Sequence, residues 1–150
     1  MIRIANPPEA SRLPSHPGTY ALLLHLAQTT SILIGRLGVF TFPQGAYVYV
    51  GSALGAGGLA GRLRRQLKPA SSRATHWHVD YLRLHTELQS IWYRCQDRRA
   101  EHVWAQALHH LPLATIVAPR FGASDCRCPS HLYHFPQPPN PSALQARLSG

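Results

Sequence analysis

The chain predicts an α+β domain: a small, mainly antiparallel sheet of three to four strands flanked by helices. Three observations carry this expectation. Short apolar or alternating stretches fill the first third. Apolar residues then recur at three- and four-residue spacing. Breaks rich in glycine and proline separate the segments. The 150 residues suit one domain, and hydrophobic residues make up 45% of them, enough for a core.

Residues Met1 to Pro17 are proline-rich and aperiodic, which predicts a flexible arm over 1–17. The stretch "GTYALLLHL" predicts a buried strand over Tyr20–Leu26, and "TTSILIGRLG" a second over Ser31–Gly35, joined to the first as a hairpin by a short polar gap. "GAYVYVGSA" predicts a third strand with Tyr47 and Tyr49 on one face and Val48 and Val50 on the other. Gly55, Gly57 and Gly58 predict a turn. A helix follows from Gly58, with Leu59, Leu63 and Leu67 as its buried stripe and Arg62, Arg65 and Gln66 beside it.

Thr75 is a candidate N-cap for a second helix with Trp77, Tyr81 and Leu84 facing inward. "LQSIWYRC" reads as a strand. "RRAEHVWAQALHHL" gives the clearest helix, with Ala100, Val103, Trp104, Ala107, Leu108 and Leu111 on one face. A short strand closes the domain at His131–Phe135. The domain thus spans 18–135, and the proline-rich residues 136–150 predict a flexible tail.

Fifteen Lys+Arg stand against six Asp+Glu, a net charge of +9, and Lys68 is the sole lysine. So basic a small domain suits a polyanionic partner, most simply nucleic acid, and the planar guanidinium fork suits phosphate oxygens. No apolar run reaches the roughly 18–20 residues of a membrane helix, and the N-terminus has no apolar stretch of signal-peptide length. Cys95, Cys126 and Cys128 are an odd number, which suits a reducing compartment. The expected location is therefore cytoplasmic, with no membrane partner. The sequence leaves the oligomeric state open.

"GTY" at 18–20 and "YVG" at 49–51 resemble the paired tripeptides of the GIY-YIG nuclease superfamily. "IGRLG", "YVGSALGAGGLAGRL", "WHVDYL", "RRAEHVWAQAL" and "FGASDCRCPSHLYHF" extend the resemblance to a small stand-alone branch, over about 18–135. The resemblance implies a nuclease that hydrolyses nucleic-acid phosphodiesters, DNA first, with one Mg²⁺ or Mn²⁺. It implies that Tyr20 and Tyr49 are catalytic, one as general base with Tyr20 favoured, that Arg62 grips the scissile phosphate, and that Glu101 binds the metal. Relatives often carry a histidine four residues after that arginine. Gln66 stands there and cannot shuttle a proton, which keeps a nucleic-acid-binding module without catalysis as the alternative.

The residues bear on these roles. A tyrosine hydroxyl beside a cation loses its proton more easily, and arginine suits charge developing on phosphate. Glu101 shares a helix edge with Trp104 and Leu108, as a carboxylate bordering a cleft would. Arg64, Arg65 and Arg73, together with His78, are candidates for nucleic-acid binding. Arg36, Arg98 and Arg99 extend the basic set, and Gln66, Asp125 and His131 are candidate supports of the active face. Asp80 reads as an orienting or capping residue. In "SDCRCPSH", Cys126, Cys128 and His131, with His134, have spacing compatible with zinc. The C-x-C spacing is tighter than most zinc sites and lacks a second cysteine pair, so the favoured expectation is a turn closing the core.

Overall fold

The computed structural model describes residues 1–7, 12–69, 74–123 and 126–149. In chain order the elements are β1 (Arg3–Ala5), β2 (Gly18–Leu26), β3 (Thr30–Ile34), β4 (Gly38–Phe42), β5 (Gly45–Ala53), α1 (Gly58–Leu67), α2 (His78–Arg83), β6 (Glu87–Cys95), α3 (Glu101–His109), β7 (Leu132–Phe135) and α4 (Pro141–Ser149). The class is α+β, with a five-stranded antiparallel sheet ordered β1-β6-β2-β5-β7 and a separate two-stranded sheet of β3 and β4.

The central strands are apolar on both faces because helices cover both. Tyr20, Leu22, Leu24, Tyr47 and Tyr49 face Leu59 and Leu63 of α1 and Val79 and Leu82 of α2. Ala21, Val48, Val50 and Trp92 face Trp104 and Leu108 of α3 and Leu144 of α4. The alternation in "AYVYV" thus divides as its period of two requires.

Several local expectations change. β2 does not form a hairpin with β3: it pairs with β5 and β6, and β3 pairs with β4. Two long apolar strands bury more surface as central neighbours than either does against a five-residue strand. The N-terminal arm supplies β1, an edge strand on β6. It also satisfies the first turn of α1: the Leu59 N–H donates to the His16 carbonyl at 2.8 Å and the Ala60 N–H to the Pro14 carbonyl at 2.9 Å. Gly58 permits that approach, since a Cβ there would lie 2.3 Å from the His16 oxygen. The expected C-terminal tail contains α4, whose Leu144 is fully buried against the α3 side of the sheet.

α2 begins at His78, with Trp77 as N-cap, rather than at Thr75. Asp80 accepts the backbone N–H of His76 and of Trp77, both at 2.8 Å, and so sets the start. Val79 and Leu82 fill the inward face, while Leu84 is exposed. On α3 the buried positions are Glu101, Trp104, Ala105 and Leu108, and Val103 is exposed. Among the described residues no helix is long and apolar enough to cross a membrane.

Candidate active site

A cleft of about 260 Å³ opens where the end of β5 meets the starts of α2 and α3 and the loop before β7. β5 contributes Tyr49 to Ser52, α1 contributes Arg62, and the α2 start contributes His76 to His78. Arg99 and Glu101 enter from the α3 start, and Gly122, Cys126 and His131 from the loop. Antiparallel register makes the meeting possible. Tyr20 of β2 lies opposite Gly51 of β5, and Leu22 opposite Tyr49. An added Cβ at Gly51 would sit 2.5 Å from the Tyr20 hydroxyl, so the glycine makes room for that ring.

Glu101 is 4% exposed, yet its carboxylate is held ionised. Burial pushes its pKa up, but hydrogen bonds from Ser52 and Arg99 more than offset this and hold it below the ordinary value. Arg99 grips Oε1 through Nε at 2.9 Å and Nη2 at 2.6 Å, and the Ser52 hydroxyl donates to Oε2. Arg62 lies with its guanidinium 4.0 Å from the centre of the Trp77 ring, and Arg65 stacks at 5.2 Å.

Tyr20 and Tyr49 are both buried, and desolvation raises both pKa values. Arg62 acts the other way on both, through its charge on each and through hydrogen bonding on Tyr20. Without a bound partner both hydroxyls are protonated donors. His78 Nδ1 accepts the Gly122 N–H at 2.8 Å. Its neutral ring therefore carries the proton on Nε2, and burial lowers its pKa. Burial also lowers the pKa of His131.

Of the residues singled out in the sequence, Tyr49, Arg62, His78, Glu101 and His131 line the cleft, and Tyr20 packs beneath Gly51. Arg65 is committed to Asp80, at 3.0 Å. Arg64 is exposed on α1 outside the cleft. Gln66 is also away from it: buried, it accepts the Arg83 Nε–H at 3.3 Å and ties α1 to α2. Arg73 and Asp125 lie outside the described residues. His134 does not join Cys126, Cys128 and His131, because its Nε2 meets the Gln44 carbonyl at 2.9 Å. Ser52, Trp77 and Gly122 were not read as site residues. All three stood near a signal: Ser52 directly after "YVG", Trp77 at the head of "WHVDYL" and Gly122 within "FGASDCRCPSHLYHF".

The sequence model of a family described as a domain of unknown function, DUF123, matches residues 19–149. The chain belongs to the DUF123 family. That family is distinct from GIY-YIG, so the membership inferred from the tripeptides is not supported. Packing accounts for the tripeptides: the two motifs occupy neighbouring strands, and the Gly51–Tyr20 contact requires a small residue opposite a large ring. No curated protein and no solved structure matches this DUF123 chain.

Proposed function

We propose that the cleft binds a nucleic-acid phosphodiester, DNA first, and hydrolyses it with one Mg²⁺ or Mn²⁺ held at Glu101. The observation that carries this reading is a buried, ionised carboxylate facing the same polar cleft as a stacked arginine. Oε1 already takes two N–H groups of Arg99, so a cation at the carboxylate displaces that half-exposed arginine, while Oε2 takes the Ser52 hydroxyl. Glu101 is the one carboxylate among the described residues of the cleft, which suits a hard cation that completes its shell with water and phosphate. Such an ion supplies charge neutralisation and a more acidic bound water.

The chain's own groups divide the remaining work. Arg62, braced on Trp77, binds the non-bridging oxygens and offsets the charge that builds on them. Arg99, whose side chain is 56% exposed, turns from Glu101 toward phosphate when a cation replaces it. Tyr49 and the Nε2–H of His78 donate hydrogen bonds to phosphate or water. With a cation at Glu101 added to the charge and hydrogen bond of Arg62, the Tyr20 hydroxyl would release its proton to solvent, and the resulting phenolate would take the proton of the attacking water. An intracellular, reducing location fits the three unpaired thiols.

The test is cleavage of duplex, single-stranded and branched DNA with Mg²⁺ or Mn²⁺, comparing wild type with Glu101→Ala and Glu101→Gln. Metal-dependent cleavage lost in both variants, with DNA binding retained, is expected. Equal cleavage by the variants overturns the assignment. The Arg99–Glu101 ion pair favours one other reading, a binding module in which Arg99 permanently neutralises the carboxylate. Salt-sensitive DNA binding with no cleavage by any of the proteins supports that module instead.

A further inference from the structure

We propose that Cys126, Cys128 and His131 form a zinc site on the wall of the cleft. Their ligand atoms all lie within 4.8 Å of one another, and Cys126 Sγ is 3.1 Å from His131 Nε2. Tetrahedral zinc, with bonds of about 2.3 Å to sulfur and about 2.0 Å to nitrogen, separates such atoms by about 3.5–3.8 Å. The donors bracket that separation, so closing on an ion needs shifts of about an ångström or less.

The surrounding chain is built to hold these donors together. Arg120 donates to the carbonyls of Ala123 at 2.6 Å, Cys126 at 2.7 Å and Cys128 at 2.6 Å. Its own N–H donates to the Pro129 carbonyl at 2.6 Å. Arg120 does this from a left-handed backbone, φ 68°, a conformation that non-glycine residues rarely adopt. From the other side, the His131 N–H donates to Phe121 and its carbonyl accepts from Val50, which fixes the residue beside β5. The Cys128 N–H also donates to Cys126 Sγ at 3.3 Å, a bond that favours a thiolate.

Two thiolates and an imidazole are soft and borderline donors, which select zinc over Mg²⁺. Both cysteines are half-buried, so the site has a way in. Three protein donors leave a fourth position. Cys126 and His131 line the cleft, and Cys126 and Cys128 line a second cavity beside α3, so the donors stand between the two. Glu101 is not among the donors, and the proposal stands whether or not the cleft hydrolyses phosphodiesters.

The experiment uses the full chain, purified without a histidine tag and kept reduced. Zinc content is measured first, and Co²⁺ is then titrated in as a spectroscopic probe. One zinc per chain and a thiolate-to-cobalt charge-transfer band in the near ultraviolet are expected. Cys128→Ser should weaken zinc binding by more than the roughly 10–100-fold that follows loss of an outer-shell partner. Cys95→Ser, at an exposed position on β6, should bind as wild type does. Folded wild type that binds no zinc and gives no charge-transfer band overturns the proposal, and so does a Cys128→Ser variant that binds zinc as tightly. If that variant does not fold, the wild-type cobalt spectrum decides alone.

Discussion

Replacing Asp80 with alanine removes the residue that fixes where α2 starts. Its Oδ2 accepts the N–H groups of His76 and Trp77 at 2.8 Å, and Arg65 approaches both oxygens, at 3.3 Å and 3.0 Å. Hydrogen bonds to a charged group contribute about 1.5–3 kcal/mol each. His76 is exposed, so water recovers most of its share, whereas Trp77 is half-buried. The Arg65 side chain is 28% exposed, which keeps the ion pair near or below about 1 kcal/mol. The expected loss is about 2–4 kcal/mol. With a slope of about 2 kcal/mol per molar, the urea midpoint falls by about 1–2 M. Burial alone would raise the Asp80 pKa, but its hydrogen bonds from Arg65, Trp77 and His76 hold it below 3.8. Its contribution is therefore full above that value and disappears as pH falls through the lower folded value. The gap between wild type and variant should close in acid. A loss under about 1 kcal/mol at neutral pH would refute the capping argument, as would a gap that persists in acid.

Gly51→Ala should destabilise by about 1–3 kcal/mol, because the new methyl meets the Tyr20 hydroxyl at 2.5 Å and its ring at 2.6 Å; an unchanged melting curve would contradict that packing. Arg62→Ala should flatten the plot of log affinity against log salt by about 0.9 if Arg62 holds one DNA phosphate, and an unchanged slope would remove it from the interface. Arg99→Gln should tighten Mn²⁺ binding at Glu101 roughly fivefold, by removing a competing cation from a partly exposed pair. Electron paramagnetic resonance of free Mn²⁺ reads this, and weaker binding would mean that Arg99 does not compete. His78 has its folded pKa lowered below 6.5 by burial, so the unfolded chain binds a proton there that the native chain refuses. Stability should therefore fall as pH drops below 6.5, by at most about 1.4 kcal/mol per unit from this group, and His78→Gln should remove that part of the slope.

The class and most elements were legible because their periods are strong. The alternation of Tyr47, Val48, Tyr49 and Val50 sets two faces, and the i, i+4 leucines of α1 set a third. Strand partners were not legible. Sequence proximity suggested β2 with β3, but pairing is decided by which long apolar strands bury each other, and "GAYVYVGSA" lies further along the chain. β1 and α4 were missed because proline-rich flanks hide short elements that are stabilised by docking rather than by their own propensity. Tyr49, Arg62, His78 and Glu101 were singled out and do meet. Ser52 and Gly122 contribute through positions that only the folded register creates, one by donating to Glu101 and the other through its backbone N–H.

Net charge alone overstates how many arginines can reach a phosphate. Arg65 is spent on Asp80, Arg83 on Gln66 and the Thr86 carbonyl, Arg99 on Glu101, and Arg120 on three loop carbonyls. Arg65, Arg83 and Arg120 use the several donors of a planar fork to join segments distant in sequence or to close a loop, and Arg99 uses two of its donors to hold a single carboxylate oxygen. The compact ammonium of lysine matches such planar, multi-donor geometry poorly. The near-absence of lysine thus fits an architectural use of arginine as well as it fits the proposed nucleic-acid binding. What distinguishes the cleft is the environment of Arg62. It rests on an aromatic ring rather than on a carboxylate, beside a glutamate whose own counter-charge is half-exposed. A cation at Glu101 and an anion at Arg62 would each remove the cost of disturbing the other's neighbour, so the two should bind with positive coupling.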